Sequence, residues 1–97
     1  MEGKLRKLEN GFYSYDVFET DQDYIFVFAN ILEKQFGFRM VNYPMVGLDS
    51  VYWEAVKNEV KLTVGWDIWS GTFIMANCLS GNEYVEKIAT TADDAKA

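Results

Sequence analysis

The chain has no histidine, and cysteine and proline each occur only once. Without histidine it lacks the side chain best suited to proton transfer near neutral pH, so the composition favours binding over catalysis. Cys78 alone cannot form an internal disulfide, which fits a reducing compartment. No apolar run approaches the ~20 residues that span a bilayer, and the charged Met1–Leu8 stretch lacks the apolar part of a signal peptide. We therefore expect a cytoplasmic protein with no membrane partner.

Basic side chains are also scarce. The chain carries 9 Lys and Arg against 15 Asp and Glu, a net charge of −6. Residues 8–33 contain no Lys or Arg, but they hold six carboxylates: Glu9, Asp16, Glu19, Asp21, Asp23 and Glu33. Such acidity repels the phosphates of nucleic acids and membranes and speeds association with a basic protein. The alternative is that it only keeps the protein soluble.

Core-forming residues are abundant by contrast: 49% of the chain is hydrophobic and 16% is aromatic. This composition is far from that of disordered chains and predicts one domain over residues 1–97. The compact part is expected to cover about 10–92, because 1–8 and 93–97 have little to bury and should be mobile.

The hydrophobic pattern predicts the element order β-α-β-β-β-β-α. The predicted strands cover 11–19, 38–46, 51–57, 60–68 and 72–79. One helix begins after Thr20 or Asp21 and ends at Gly37, and a second begins at the capping box Ser80–Glu83. Residues 51–57 could instead form a short helix. We expect an α+β two-layer sandwich in which a mostly antiparallel sheet of about five strands carries both helices on one face.

The acidic segment Asp21-Gln22-Asp23 invites a metal interpretation. A calcium loop beginning at Asp21 would need glycine at its sixth position and glutamate at its twelfth. Phe26 and Leu32 stand there. We interpret these acids as the favourable first turn of a helix and expect no metal and no cofactor.

Two further patterns could carry catalysis. A nucleophilic Cys78 would need a base or an electropositive setting, and we interpret it instead as a small buried hydrophobe in a strand. A glycosidase-type pair drawn from Asp16, Glu54 and Asp67 is marked by no spacing in the sequence. We expect no catalytic residue.

Partner contacts are predicted for Asp16, Glu19, Asp21, Asp23, Phe26, Asp67 and Trp69. In strict alternation Trp66 and Ile68 face the core, so Trp69 faces outward beside Asp67, a combination typical of interface hot spots. Phe26 lies on the helix face that periodicity assigns to solvent. The alternative for Trp69 is a structural role over a sheet edge.

The segment Val60–Asp67 running into Ile68-Trp69-Ser70-Gly71, followed by the Ser80–Glu83 cap, resembles small bacterial immunity proteins of polymorphic or contact-dependent toxin systems. The likeness covers residues 10–92 and lies in size, acidity, aromatic content and the two-layer plan. It implies a basic, nuclease-like toxin domain as partner, whose active site the protein would block. A different hypothesis is a small homo-oligomeric or ligand-holding module, suggested by aromatic residues on both sides of strands 12–18 and 72–79.

Overall fold

The computed structural model describes the backbone of residues 3–96 and the side chains of residues 3–91. The strands are β1 (Gly3–Lys7), β2 (Tyr13–Val17), β3 (Arg39–Val46), β4 (Ser50–Lys57), β5 (Val60–Asp67) and β6 (Gly71–Ala76). The helices are α1 (Ile25–Gln35), preceded by a 3-10 turn at Gln22–Tyr24, and α2 (Leu79–Lys96). The predicted α+β fold is therefore confirmed, and residues 51–57 are a strand.

All neighbouring strands are antiparallel, in the order β1-β2-β6-β5-β4-β3. After β2 the chain crosses through α1 to the far edge of the sheet. The meander from β3 to β6 then returns strand by strand until β6 pairs with β2. Short turns join the meander strands, which is why each pair is antiparallel.

A single core lies between the helices and one face of the sheet. Alternate strand residues such as Tyr15, Val64 and Ile74 point into it, and α1 and α2 add Phe28 and Ile88. The strict alternation along β5 produces this arrangement, because every second side chain of a strand points to the same face. In the described part of the chain, neither helix is long and apolar enough to cross a membrane.

The main departure from the sequence prediction is an additional strand, β1, which raises the number of strands from the predicted five to six. Residues 3–7, expected to be a mobile end, pair with β2 from Gly3↔Val17 to Lys7↔Tyr13. β1 is an edge strand with charged side chains, so it carries no alternating apolar signal; such charges are common on edges because they discourage further pairing. At the other end α2 runs to Lys96, past the predicted limit near residue 92. Residues 1, 2 and 97 lie outside the described part.

Two boundaries differ in detail. β6 ends at Ala76 and α2 begins at Leu79, so Cys78 lies in the connection and is only partly buried, contrary to the prediction of a buried strand position. β3 is an edge strand, a position that suits Pro44, and its pairing with β4 is interrupted between Val41 and Met45. Asn42 adopts φ 56° within this bulge.

Candidate functional site

Three chain connections meet at one end of the sheet. They are residues 18–23 after β2, residues 46–50 at the β3–β4 turn with one flanking strand residue on each side, and residues 67–70 from the last residue of β5 to the start of β6. The strand register brings them together, because Val17 pairs with Thr72 and Ser50 pairs with Asp67. We call these three connections the acidic end.

The acidic end holds five carboxylates and no Lys or Arg: Glu19, Asp21, Asp23, Asp49 and Asp67. The two ion pairs found among the described residues, Arg6–Asp16 and Lys87–Glu83, lie elsewhere. The negative charge at this end is therefore not neutralised by described side chains of the same molecule, and its field extends into solvent over roughly one Debye length, ~8 Å at physiological salt.

Large apolar side chains are exposed at the same end: Phe18, Phe26, Val46, Leu48, Ile68 and Trp69. Trp69 exposes 74% of its surface and Leu48 is fully exposed. Single exposed apolar residues are ordinary, but a contiguous group marks an interaction site. Exposed tryptophan among apolar neighbours is the usual composition of an interface hot spot.

Hydrogen bonds hold the three connections in place. Trp66 Nε1 donates to Thr20 O at 2.7 Å, and Thr72 N donates to Thr20 Oγ1 at 2.9 Å. Ile68 N donates to Asp49 O at 3.1 Å, which joins the two hairpin turns. A surface held in this way loses little conformational entropy when a partner binds.

Six of the seven predicted contact residues lie at or beside this end. Two of them also hold the backbone. Asp21 Oδ1 accepts from Asp23 N at 3.1 Å, which caps the 3-10 turn. Asp67 Oδ1 accepts from Trp69 N at 3.0 Å and Ser70 N at 2.5 Å, which closes the β5–β6 turn. The carboxylates of Glu19 and Asp23 accept no hydrogen bond from the described residues.

The seventh, Asp16, is not an accessible carboxylate: only 1% of its surface is exposed. It lies on β2 between β1 and β6, where it forms an ion pair with Arg6 and accepts a hydrogen bond from Ser14 Oγ at 2.7 Å. The local sequence around Asp16 does not reveal this burial, because β1, which carries Arg6, has no alternating hydrophobic signal. We therefore remove Asp16 from the candidate site.

The predicted orientation of the β5–β6 turn is correct for one residue and wrong for another. Trp69 is exposed as expected, whereas Ile68, expected in the core, is 55% exposed. Strict alternation fails there because β5 ends at Asp67 and the chain turns. Trp66 is still within the strand and remains half-buried.

Residues 46–49 belong to the acidic end but are not among the contact residues predicted from the sequence. The composition Gly47-Leu48-Asp49-Ser50 indicated a turn, and an apolar Leu48 at its tip was the available signal. Their position beside Trp69 depends on the pairing of β4 with β5, which no local pattern reveals.

A groove of about 230 Å³ lies between the start of α1 and the β3–β4 hairpin. Its lining residues are Gln22, Asp23, Ile25, Phe26, Pro44, Val46 and Val51. A second shallow cavity, about 330 Å³, lies beside the β3 bulge and includes Tyr43, Tyr52 and Glu54. Trp53 Nε1 donates to Val41 O at 3.2 Å, which holds that bulge closed.

No group of three or more His, Cys, Asp or Glu side chains within residues 3–91 is placed to hold a metal ion. The Cys78 thiol lies at the opposite end of the sheet, 3.3 Å from Ser80 Oγ. This hydrogen bond, together with one to the Lys61 backbone, lowers the pKa of Cys78 from its ordinary value.

Comparison of the chain with protein-family models, with curated proteins and with solved structures finds no match.

Proposed function

We propose that this protein is an acidic cytoplasmic immunity protein that neutralises a basic, nuclease-like toxin domain by binding it at the acidic end. One observation carries the proposal: five carboxylates, none in an ion pair with a described Lys or Arg side chain, lie with six exposed apolar side chains at one rigid end of the sheet. A nuclease needs a basic surface to bind the phosphates of its substrate. An acidic surface of this kind competes for that basic site.

Charge and apolar contact support different parts of such binding. Unscreened carboxylates raise the association rate with a basic protein at low salt. Exposed side chains such as Trp69 and Leu48 slow dissociation once they are desolvated against the partner. Both kinds of group occur within the same three connections, so one docking event uses them together.

A homo-oligomer is the second candidate, because Tyr43 and Met45 are largely exposed on the edge strand β3. However, Pro44 offers no N–H and the bulge interrupts the edge, and both features oppose strand addition. Two copies meeting at their acidic ends would also bring ten carboxylates together, which is repulsive. Light scattering over a concentration series separates the candidates, since only the homo-oligomer predicts a mass that rises with concentration.

The test of the immunity function begins with the gene neighbourhood. A toxin domain encoded beside this gene is expressed in a susceptible host with and without the present chain, and survival is scored. Binding of the purified pair is then measured at low and moderate salt. We expect protection and a complex that weakens with salt. Survival that does not depend on this chain, or a neighbouring product that is acidic, would refute the proposal.

A further inference from the structure

We infer that the groove between α1 and the β3–β4 hairpin receives one arginine side chain of the basic partner, with Asp23 as its counter-ion. This inference deepens the proposed function and rests on it for the identity of the partner. The groove itself, its walls and its charge are properties of this chain alone.

The size of the groove suits a single side chain. Its volume of about 230 Å³ is below the ~300–1,000 Å³ typical of pockets for whole small molecules. Most of its wall is apolar, formed by Ile25, Phe26, Pro44, Val46 and Val51. Such walls accept the hydrocarbon stem of an arginine while its charged head stays at the water-exposed rim.

The rim supplies the matching charge. Asp23 lines the groove and is exposed, and its carboxylate makes no ion pair or hydrogen bond with the described residues. Asp21, its neighbour, already caps the 3-10 turn. Asp23 is therefore the carboxylate at this groove that can accept a guanidinium, in the bidentate geometry that distinguishes arginine from lysine.

The start of a helix carries a partial positive charge of about +0.5, which opposes a cation. Three carboxylates, at Glu19, Asp21 and Asp23, belong to the connection that leads into it, and no basic residue lies in that connection. Their formal charge of −3 is several times larger than the partial positive charge of the helix N-terminus, so the mouth of the groove attracts a cation.

Phe26 provides a planar wall in a defined orientation. Its ring packs edge-to-face against Trp53, with centroids 5.7 Å apart, and 53% of the residue remains exposed. A guanidinium or its stem adjacent to this ring gains cation–π or apolar contact. The same arrangement places the Trp53 indole close enough to report on events in the groove.

In the test, N-acetyl-arginine amide is titrated into the full chain at constant ionic strength, and binding is measured by heteronuclear NMR. The neutral isostere N-acetyl-citrulline amide is titrated in parallel. We expect saturable shifts centred on the amides of Asp23, Phe26 and Val46 and on the Trp53 indole N–H, with much weaker changes for citrulline. Asp23→Asn should weaken arginine binding roughly 5-fold, the value of one partly exposed ion pair. Glu33→Gln, which changes an exposed carboxylate near the far end of α1, is the matched control and should change nothing.

Two results would overturn the inference. Equal shifts by arginine and citrulline would mean that the groove takes an apolar group without regard to charge. Chemical-shift changes that never saturate and that extend equally to Glu19 and Asp49 would mean non-specific electrostatic attraction with no defined binding site. Neither result would contradict toxin neutralisation, which is tested separately by the survival of the host. Conversely, specific arginine binding by a chain that protects against no toxin would retain the groove and refute the proposed function.

Discussion

The two ends of the sheet use aromatic and charged side chains in opposite ways. At the end away from the acidic end, which we call the closed end, Tyr84 packs edge-to-face against Phe36 and Phe38, with centroids 6.5 and 5.1 Å away. Lys57 lies over the same ring and donates from Nζ to Phe36 O at 2.7 Å. At the acidic end Trp69 makes no ring contact with the described residues. The protein can pack such aromatic groups internally, so the exposure of Trp69 is not a consequence of small size.

Basic residues are unevenly divided between the same two ends. The closed end and its surroundings hold Lys7, Lys34, Arg39, Lys57 and Lys61 together with the carboxylates Glu9, Glu33 and Glu59, whereas the acidic end holds carboxylates and no basic residue. A molecule polarised in this way is turned by the field of a charged partner before contact. The field of a basic partner would turn the acidic end of this protein toward the partner.

The largest expected effect on stability tests whether the closed end is structural. Tyr84→Ala removes two aromatic contacts and the ring beneath Lys57, and should lower the free energy of unfolding by about 2–3 kcal/mol. Trp69→Ala should change it by less than about 0.5 kcal/mol, because Trp69 is mostly exposed. Urea unfolding of both variants measures the difference. Equal losses would show that Trp69 is also structural.

The next effect concerns dissociation of the proposed complex. Trp69→Ala should cost about 2 kcal/mol of binding, or roughly 30-fold in dissociation rate, because a desolvated hot-spot side chain is lost. Leu79→Ala is the matched control, since Leu79 is 72% exposed but lies at the closed end. Surface-plasmon kinetics with the toxin domain compares them. A similar loss in both variants would contradict the assignment of the interface to the acidic end.

A smaller effect is expected on association. The triple variant Glu19→Gln, Asp23→Asn, Asp49→Asn leaves the structural Asp16, Asp21 and Asp67 intact. It should slow association about 10-fold at low salt and flatten the salt dependence. The control is Glu33→Gln, Glu59→Gln, Glu86→Gln, which changes the net charge equally at other places. If both triples behave alike, only net charge matters and the acidic end has no special role.

The smallest effect lies at the closed end and involves no partner. Ser80→Ala removes the main cause of the lowered Cys78 pKa, so that pKa should rise. Less thiolate is then present at any pH below it, and the pH profile of alkylation by iodoacetamide should move to higher pH. Ser70→Ala, at the acidic end, should leave the profile unchanged. An unmoved profile in Ser80→Ala would mean that another group controls the thiol.

The sequence predicted the elements well wherever one face of an element is buried. The alternation from Val60 to Trp66 defines β5, and the helical spacing of Ile25, Phe28 and Leu32 defines α1. β1 could not be found in this way, because an edge strand with charged side chains leaves no alternating signal. The missed strand then caused the error at Asp16, whose partner Arg6 it carries.

Local sequence by itself determined the α+β class, the acidity of residues 19–23 and the exposed Trp69 beside Asp67. It did so because propensity, capping and periodicity act over a few neighbouring residues. Tertiary structure alone decided that these segments meet at one end with Leu48 and Asp49, that Asp16 is buried, and that a groove opens beside Phe26. Those outcomes depend on strand register and on the crossover to β3, which join residues far apart in the chain.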